Sequence, residues 1–233
     1  MITRCNVVNL PEFGIGNSQR LQAVYRDGDG AGTGQHVLVD LIQARPAGRS
    51  YAMCADPLAG AERADGHSLT NSLDNKVAVA SCPVGKVLTG AAGRITGGGG
   101  QVAMTGITPN GGPGVAPTKV TVRASEIDAW SANWYIDAYA VCASPLPGLE
   151  VQSATTTASS STTQTKNARC LGGKKLVGLG GQINGGSGEV VFDALRPGEL
   201  LNEAVTTATE AVDADGPYAA NWSLRTYAIC ATP

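Results

Sequence analysis

Apolar and polar positions alternate along "NWYIDAYAVCA" (133–143). Trp134, Ile136, Ala138, Ala140 and Cys142 fall on one face, and Tyr135, Asp137, Tyr139 and Val141 on the other. A period of two with aromatic and β-branched residues predicts a strand. The Trp-to-Cys face is the expected core face. The other is polar early and apolar late, so the strand's end is expected to be covered on both sides. "NWSLRTYAICA" (221–231) repeats the pattern, and "SYAMCA" (50–55) is a shortened third version.

The same pattern predicts strands at 77–81, 86–90, 101–108 and 119–124, and again at 163–169, 174–179, 189–195 and 203–212. Segments 20–25 and 37–43 are the candidates nearer the amino terminus. "TGGGG" (96–100) and "NGGSG" (184–188) lie between strand candidates and read as turns. Gly90, Gly93, Gly178 and Gly181 interrupt strand-like runs and predict bulges or close backbone approach. "ELLNEAVTTATEAV" is the best helix candidate by composition. Its counterpart "GPGVAPTKVTVRAS" cannot be helical, so a shared fold requires strand in both.

These elements recur. Cys54, Cys142 and Cys230 are spaced 88 residues apart, as are Cys82 and Cys170, and the second and third copies align without a gap. The first copy is shorter: Cys5 lies 49 residues before Cys54, with no Gly-Gly run and no Asn-Trp pair. It lacks the segment that precedes the opening cysteine in the other two, so its sheet is expected to be one strand short, with an open edge. Copies at 1–59, 60–148 and 149–233 predict one all-β body with pseudo-threefold symmetry. The expected fold is a β-prism of three antiparallel Greek-key sheets. A β-trefoil, which uses shorter copies, and a three-part β-sandwich array are the alternatives.

Charged residues make up 15% of the chain and the net charge is −2, with no basic block. That composition argues against nucleic acid as a partner. No apolar run is long enough to cross a bilayer, and no cofactor is indicated. Six cysteines allow fifteen connectivities. The one that uses the repeat three times is Cys5–Cys54, Cys82–Cys142 and Cys170–Cys230; six buried thiols is the other reading. With no C-x-x-C, and His36 and His67 the only histidines, zinc is disfavoured. Disulfides imply an extracellular setting or the surface of a particle. "MITRCNVVNL" has no apolar stretch of the signal-peptide kind, so this sequence is expected to carry none.

"CPVGKVLTGAAGRI" (82–95) together with "NWYIDAYAVCA" resembles a repeat of secreted actinobacterial proteins, in which C-P-x-G-K opens a Gly-rich strand and W-x-x-x-A-Y-A-x-C-A closes the unit. The likeness covers most of 60–233. The opening motif and closing cysteine are also similar to vitelline membrane outer layer protein I, a β-prism of three Greek-key units. Leu171 and Asn6 stand where that motif has proline. The resemblance implies a prism-like fold and an extracellular setting, and brings no catalytic residue.

Tyr51, Tyr139 and Tyr227 occupy one repeat position, with Asn133 and Asn221 at the start of the closing segment. Aromatic rings bind sugars and protein surfaces with little entropy cost, so these five are the candidate binding residues. Asp27 and Asp29 in "RDGDGAGTG" are the metal candidates, although the full calcium-loop pattern is missing. Glu126 and Asp128 form an acid pair of the kind glycosidic chemistry uses, but an ungapped alignment puts Ala214 and Gly216 opposite them. No nucleophile elbow or triad context is visible, and no catalytic residue is assigned. The expected function is a non-enzymatic, lectin-like or surface-directed binding module whose partner is a glycan or protein surface. A structural subunit of an extracellular or virion-type assembly, a homo-oligomer formed through the first repeat, is the alternative. A glycan-active enzyme is the third reading.

Overall fold

The alternating segments are strands, and no helix occurs among the described residues. The computed structural model describes residues 3–4, 20–24, 36–42, 51–54, 58–186, 188–211 and 217–233. The first copy contributes β1 (Thr3–Arg4), β2 (Arg20–Val24), β3 (His36–Ile42) and β4 (Tyr51–Cys54). The second contributes β5 (Glu62–His67), β6 (Lys76–Ser81), β7 (Val87–Thr96), β8 (Val102–Pro109), β9 (Lys119–Glu126) and β10 (Tyr135–Ala143). The third contributes β11 (Glu150–Thr155), β12 (Thr163–Arg169), β13 (Lys175–Asn184), β14 (Val190–Pro197), β15 (Glu203–Glu210) and β16 (Ser223–Ala231). The sequence pattern missed β5 and β11, whose core-facing positions, Glu62, Ala64 and Gly66 in one and Glu150, Gln152 and Ala154 in the other, carry no large apolar side chain.

The second and third copies share one wiring. The closing strand lies between the first and third strands, as β5-β10-β7 and β11-β16-β13; the remaining strands pair as β6-β9-β8 and β12-β15-β14. All pairings are antiparallel. Gly181↔Ile107 and Gln182↔Gly106 join β13 to β8, so a six-stranded sheet, β11-β16-β13-β8-β9-β6, takes half its strands from each copy. In the first copy the order is β1-β4-β3-β2. Strand β2 lies beside β7, and β3 and β4 lie beside β14.

Thr3 and Arg4 pair with Cys54 and Met53 in the register that Glu62 and Arg63 hold against Cys142 and Val141. Residues at the start of the chain therefore take the slot of β5, two residues deep, and not the slot of β6, which was the one expected to stand empty. One expectation changes: the alignment needs gaps. Pro109 faces Val120 and Pro197 faces Ala204, so β9 and β15 match at an offset of 84. The counterpart of Glu126 is therefore Glu210, and not Ala214. A shorter β14–β15 loop is balanced by a longer one before Trp222, because loops change length at small entropic cost while strand registers do not.

Alternation sets the core. Ile136, Ala138, Ala140 and Cys142 on β10 and Leu224, Ala228 and Cys230 on β16 are fully buried, beneath Trp134 and Trp222 at the strand starts. Val141 and Ile229 on the other face are buried too, as the pattern predicts. The expected interruptions are present: the ladders shift register between Leu88 and Gly90 and between Leu176 and Gly178. Disulfides Cys82–Cys142 and Cys170–Cys230 tie each copy's opening to its closing strand. Cys5, and with it the third pairing, lies outside the described residues. Edge strands β5 and β6 meet at a corner where Gly66 lies against the carbonyl of Val79, too close for any side chain. Covering one edge with another is a recognised way to blunt both.

The Gly-Lys of the opening motif has a structural role. Gly85 turns the chain at φ 84°, and Lys86 Nζ then reaches Glu62 Oε1 at 2.7 Å. In the third copy Lys174 meets Glu150 at 2.7 Å, and Glu150 also accepts from the Gly114 N–H (2.8 Å) of the second copy and from Gln152 (3.1 Å). Lys174, the Gly114 N–H and Gln152 together hold the Glu150 carboxyl below its ordinary value of 4.5. A depressed carboxyl pKa stabilises above the ordinary value, and that contribution disappears as pH falls through the folded-state value. Glu150→Gln should therefore cost about 1–2 kcal/mol at neutral pH. In urea unfolding, the gap to the parent should close as pH drops well below 4.5; a gap that does not change with pH would show that the charge contributes nothing.

Candidate functional site

Strand β10 lies between β5 and β7, so each outward residue on it faces two partners. Asp137 stands opposite His67 on one side and Arg94 on the other. Its side chain points outward yet is only 1% exposed, because its neighbours close over it. It accepts hydrogen bonds from His67 Nδ1, from Arg94 Nε at 3.0 Å and from the Tyr139 hydroxyl at 3.3 Å. A buried carboxylate is tolerated only when it is paired and hydrogen-bonded, and three donors meet that condition.

The surround is mixed in charge. Arg63 lies over the Tyr139 ring, 5.1 Å from its centroid, and is itself held by Asp65 at 2.8 Å. Burial, and next to it the Asp137 charge, push the Tyr139 phenol up, so it remains a protonated donor. The carboxylate fixes the proton of His67 on Nδ1 and leaves Nε2 as an acceptor in the neutral ring, or a second donor in the charged one. The His67 side chain keeps 66% of its surface exposed. Arg94 binds Asp137 through Nε alone, so its two terminal nitrogens make no other bond among the described residues. The mouth of the site is rich in donors, over a buried negative charge.

The third copy is an internal control. Asp137 becomes Arg225, facing Thr155 and Gln182 where the second copy has His67 and Arg94. Arg225 covers Tyr227 at 5.0 Å and donates to Ser153 Oγ at 2.8 Å, while the Tyr227 hydroxyl donates to Gln182 Oε1 at 2.9 Å. Cysteines, tryptophans, Lys–Glu pairs and Gly turns are common to both copies; the carboxylate cluster is not. The repeat folds without it.

The expected binding residues are scattered. Tyr139 is in the cluster and half-buried, whereas Tyr227 is buried. Tyr51 lies on β4 opposite Val39; its side chain is outside the described residues. Asn133 and Asn221 are exposed ahead of the tryptophans, their carbonyls against Gly97 and Gly185. Roughly 20 Å of strand separates each from its copy's tyrosine, so Asn and Tyr do not converge. Asp27 and Asp29 lie outside the described residues. Among the described residues no cluster of metal-ligating groups occurs. Glu126 is occupied by the Trp134 indole N–H (3.2 Å) and the Trp130 backbone N–H (3.1 Å), as a cap.

His67, Arg94 and Asp137 were not singled out from the sequence. The signal was there: within two nearly identical closing segments, one position changes from Asp to Arg. Neither a protein-family model nor a curated protein matches the sequence.

Proposed function

We propose that the chain is an extracellular glycan-binding module with β-prism architecture, and that it binds through the outer face of β5, β10 and β7. One observation carries the reading: Asp137 is buried with three donors in one copy and replaced by Arg225 in its structural twin. A costly charge cluster that the repeat does not require is best explained by a ligand. Exposed donors on His67 and Arg94 beside the Tyr139 ring suit a hydroxyl-rich, acidic sugar. The two disulfides are compatible with an oxidising compartment. The prism is supported by the repeated wiring and by β2 and β14 meeting neighbouring copies.

A glycan array probed with the full chain tests this. His67→Ala should weaken binding to the best acidic glycan about tenfold, the worth of one charge-assisted hydrogen bond. It also removes one of the three donors to Asp137, so some loss of thermal stability is expected and binding is compared where both proteins are fully folded. An array without hits, or equal binding by the variant, would overturn the assignment.

A further inference from the structure

A second surface spans the join between copies. Thr155, Arg225, Gln182, Gly106, Arg123 and Val77 form one cross-strand row over all six strands of the shared sheet. Arg225 and Arg123 come from different copies and stand three strand spacings apart, about 14 Å. Both act on the buried Tyr227 between them: burial raises its phenol, and Arg225, Thr108 and Arg123 pull against that. Lys119 is exposed farther along β9.

Among the described residues no outward strand position of this sheet is acidic. The chain as a whole carries a net charge of −2, so this face runs against the overall sign. Its remaining outward groups are mostly small or neutral, including Thr121 and Gly106.

We infer that this face binds an acidic polysaccharide, independently of the Asp137 site. Charge complementarity selects a polyanion. Thr121, Ser153 and Thr155 put hydroxyls on this face, which suits a sugar chain. Nucleic acid is the less fitting polyanion, because the one outward ring, Tyr227, is buried and offers bases nothing to stack on.

The test is binding of the full chain to polygalacturonate at low salt, with neutral dextran and a single-stranded DNA oligonucleotide alongside. Lys119→Ala/Arg123→Ala should weaken polygalacturonate binding about tenfold. His67→Ala should leave it unchanged, and added salt should abolish it. Loss with His67→Ala but not with the double variant would move the polymer to the first site and overturn the inference. So would no binding, equal binding of dextran, or tighter binding of DNA. Unchanged thermal melting of the double variant separates loss of the surface from loss of fold.

Discussion

Trp134→Ala should destabilise the protein by about 3–5 kcal/mol, at the upper end for a large core truncation, and by more than Trp222→Ala. Both rings are buried and both anchor a loop. Trp134 exchanges backbone hydrogen bonds with Asn71, and Trp222 does so with Ser159. Their surroundings differ. Lys76, which is 5% exposed, places its ammonium 4.7 Å from the Trp134 ring and donates to the Leu73 carbonyl at 2.7 Å and to Asn71. In the third copy neutral Gln164 stands there, donating to the Trp222 carbonyl at 2.9 Å. Removing Trp134 thus leaves a buried cation without its ring and Glu126 without its indole donor. Removing Trp222 frees only the Ser161 carbonyl, which its indole meets at 3.0 Å. Urea unfolding of both variants, with Trp134→Phe as the partial rescue, measures the difference. Equal losses would mean that Lys76 draws nothing from the ring.

The second large effect is covalent. Each disulfide spans 60 residues, worth about 4 kcal/mol on the chain-entropy account. Replacing Cys82 and Cys142 by alanine should cost that much. Losing both bridges should cost about 8 kcal/mol, comparable to the whole stability of an ordinary domain. Peptide mapping without reductant should recover both pairs. Recovery of Cys82 joined to any cysteine other than Cys142 would break the assignment.

Much of the architecture was legible because it was written twice. Period-two alternation around Trp134 and Trp222 identified the closing strands and their core face. The recurrence of Cys82 and Cys142 as Cys170 and Cys230 gave the pairing. What escaped were relations the chain does not write locally. Asp137 meets His67 and Arg94 only because β10 is inserted between two strands from earlier in its copy. The β9–β15 match escaped for a different reason: two loop-length changes cancel, so the 88-residue spacing is restored by Trp222 and conceals the shift beneath it. Glu126 therefore read as one of a lone acid pair, when it has a structural twin in Glu210.

The β8–β13 junction is an interface between two versions of one folding unit. It has the geometry of a subunit contact, fixed within a single polypeptide. A chain bearing one such unit would carry both halves of that contact and could satisfy them only on other molecules, head to tail. Tandem duplication turns such an assembly into one whose stoichiometry is encoded and whose stability no longer depends on concentration. It also permits what identical subunits cannot do: each face can acquire its own chemistry, a carboxylate nest on one and an arginine row on the next.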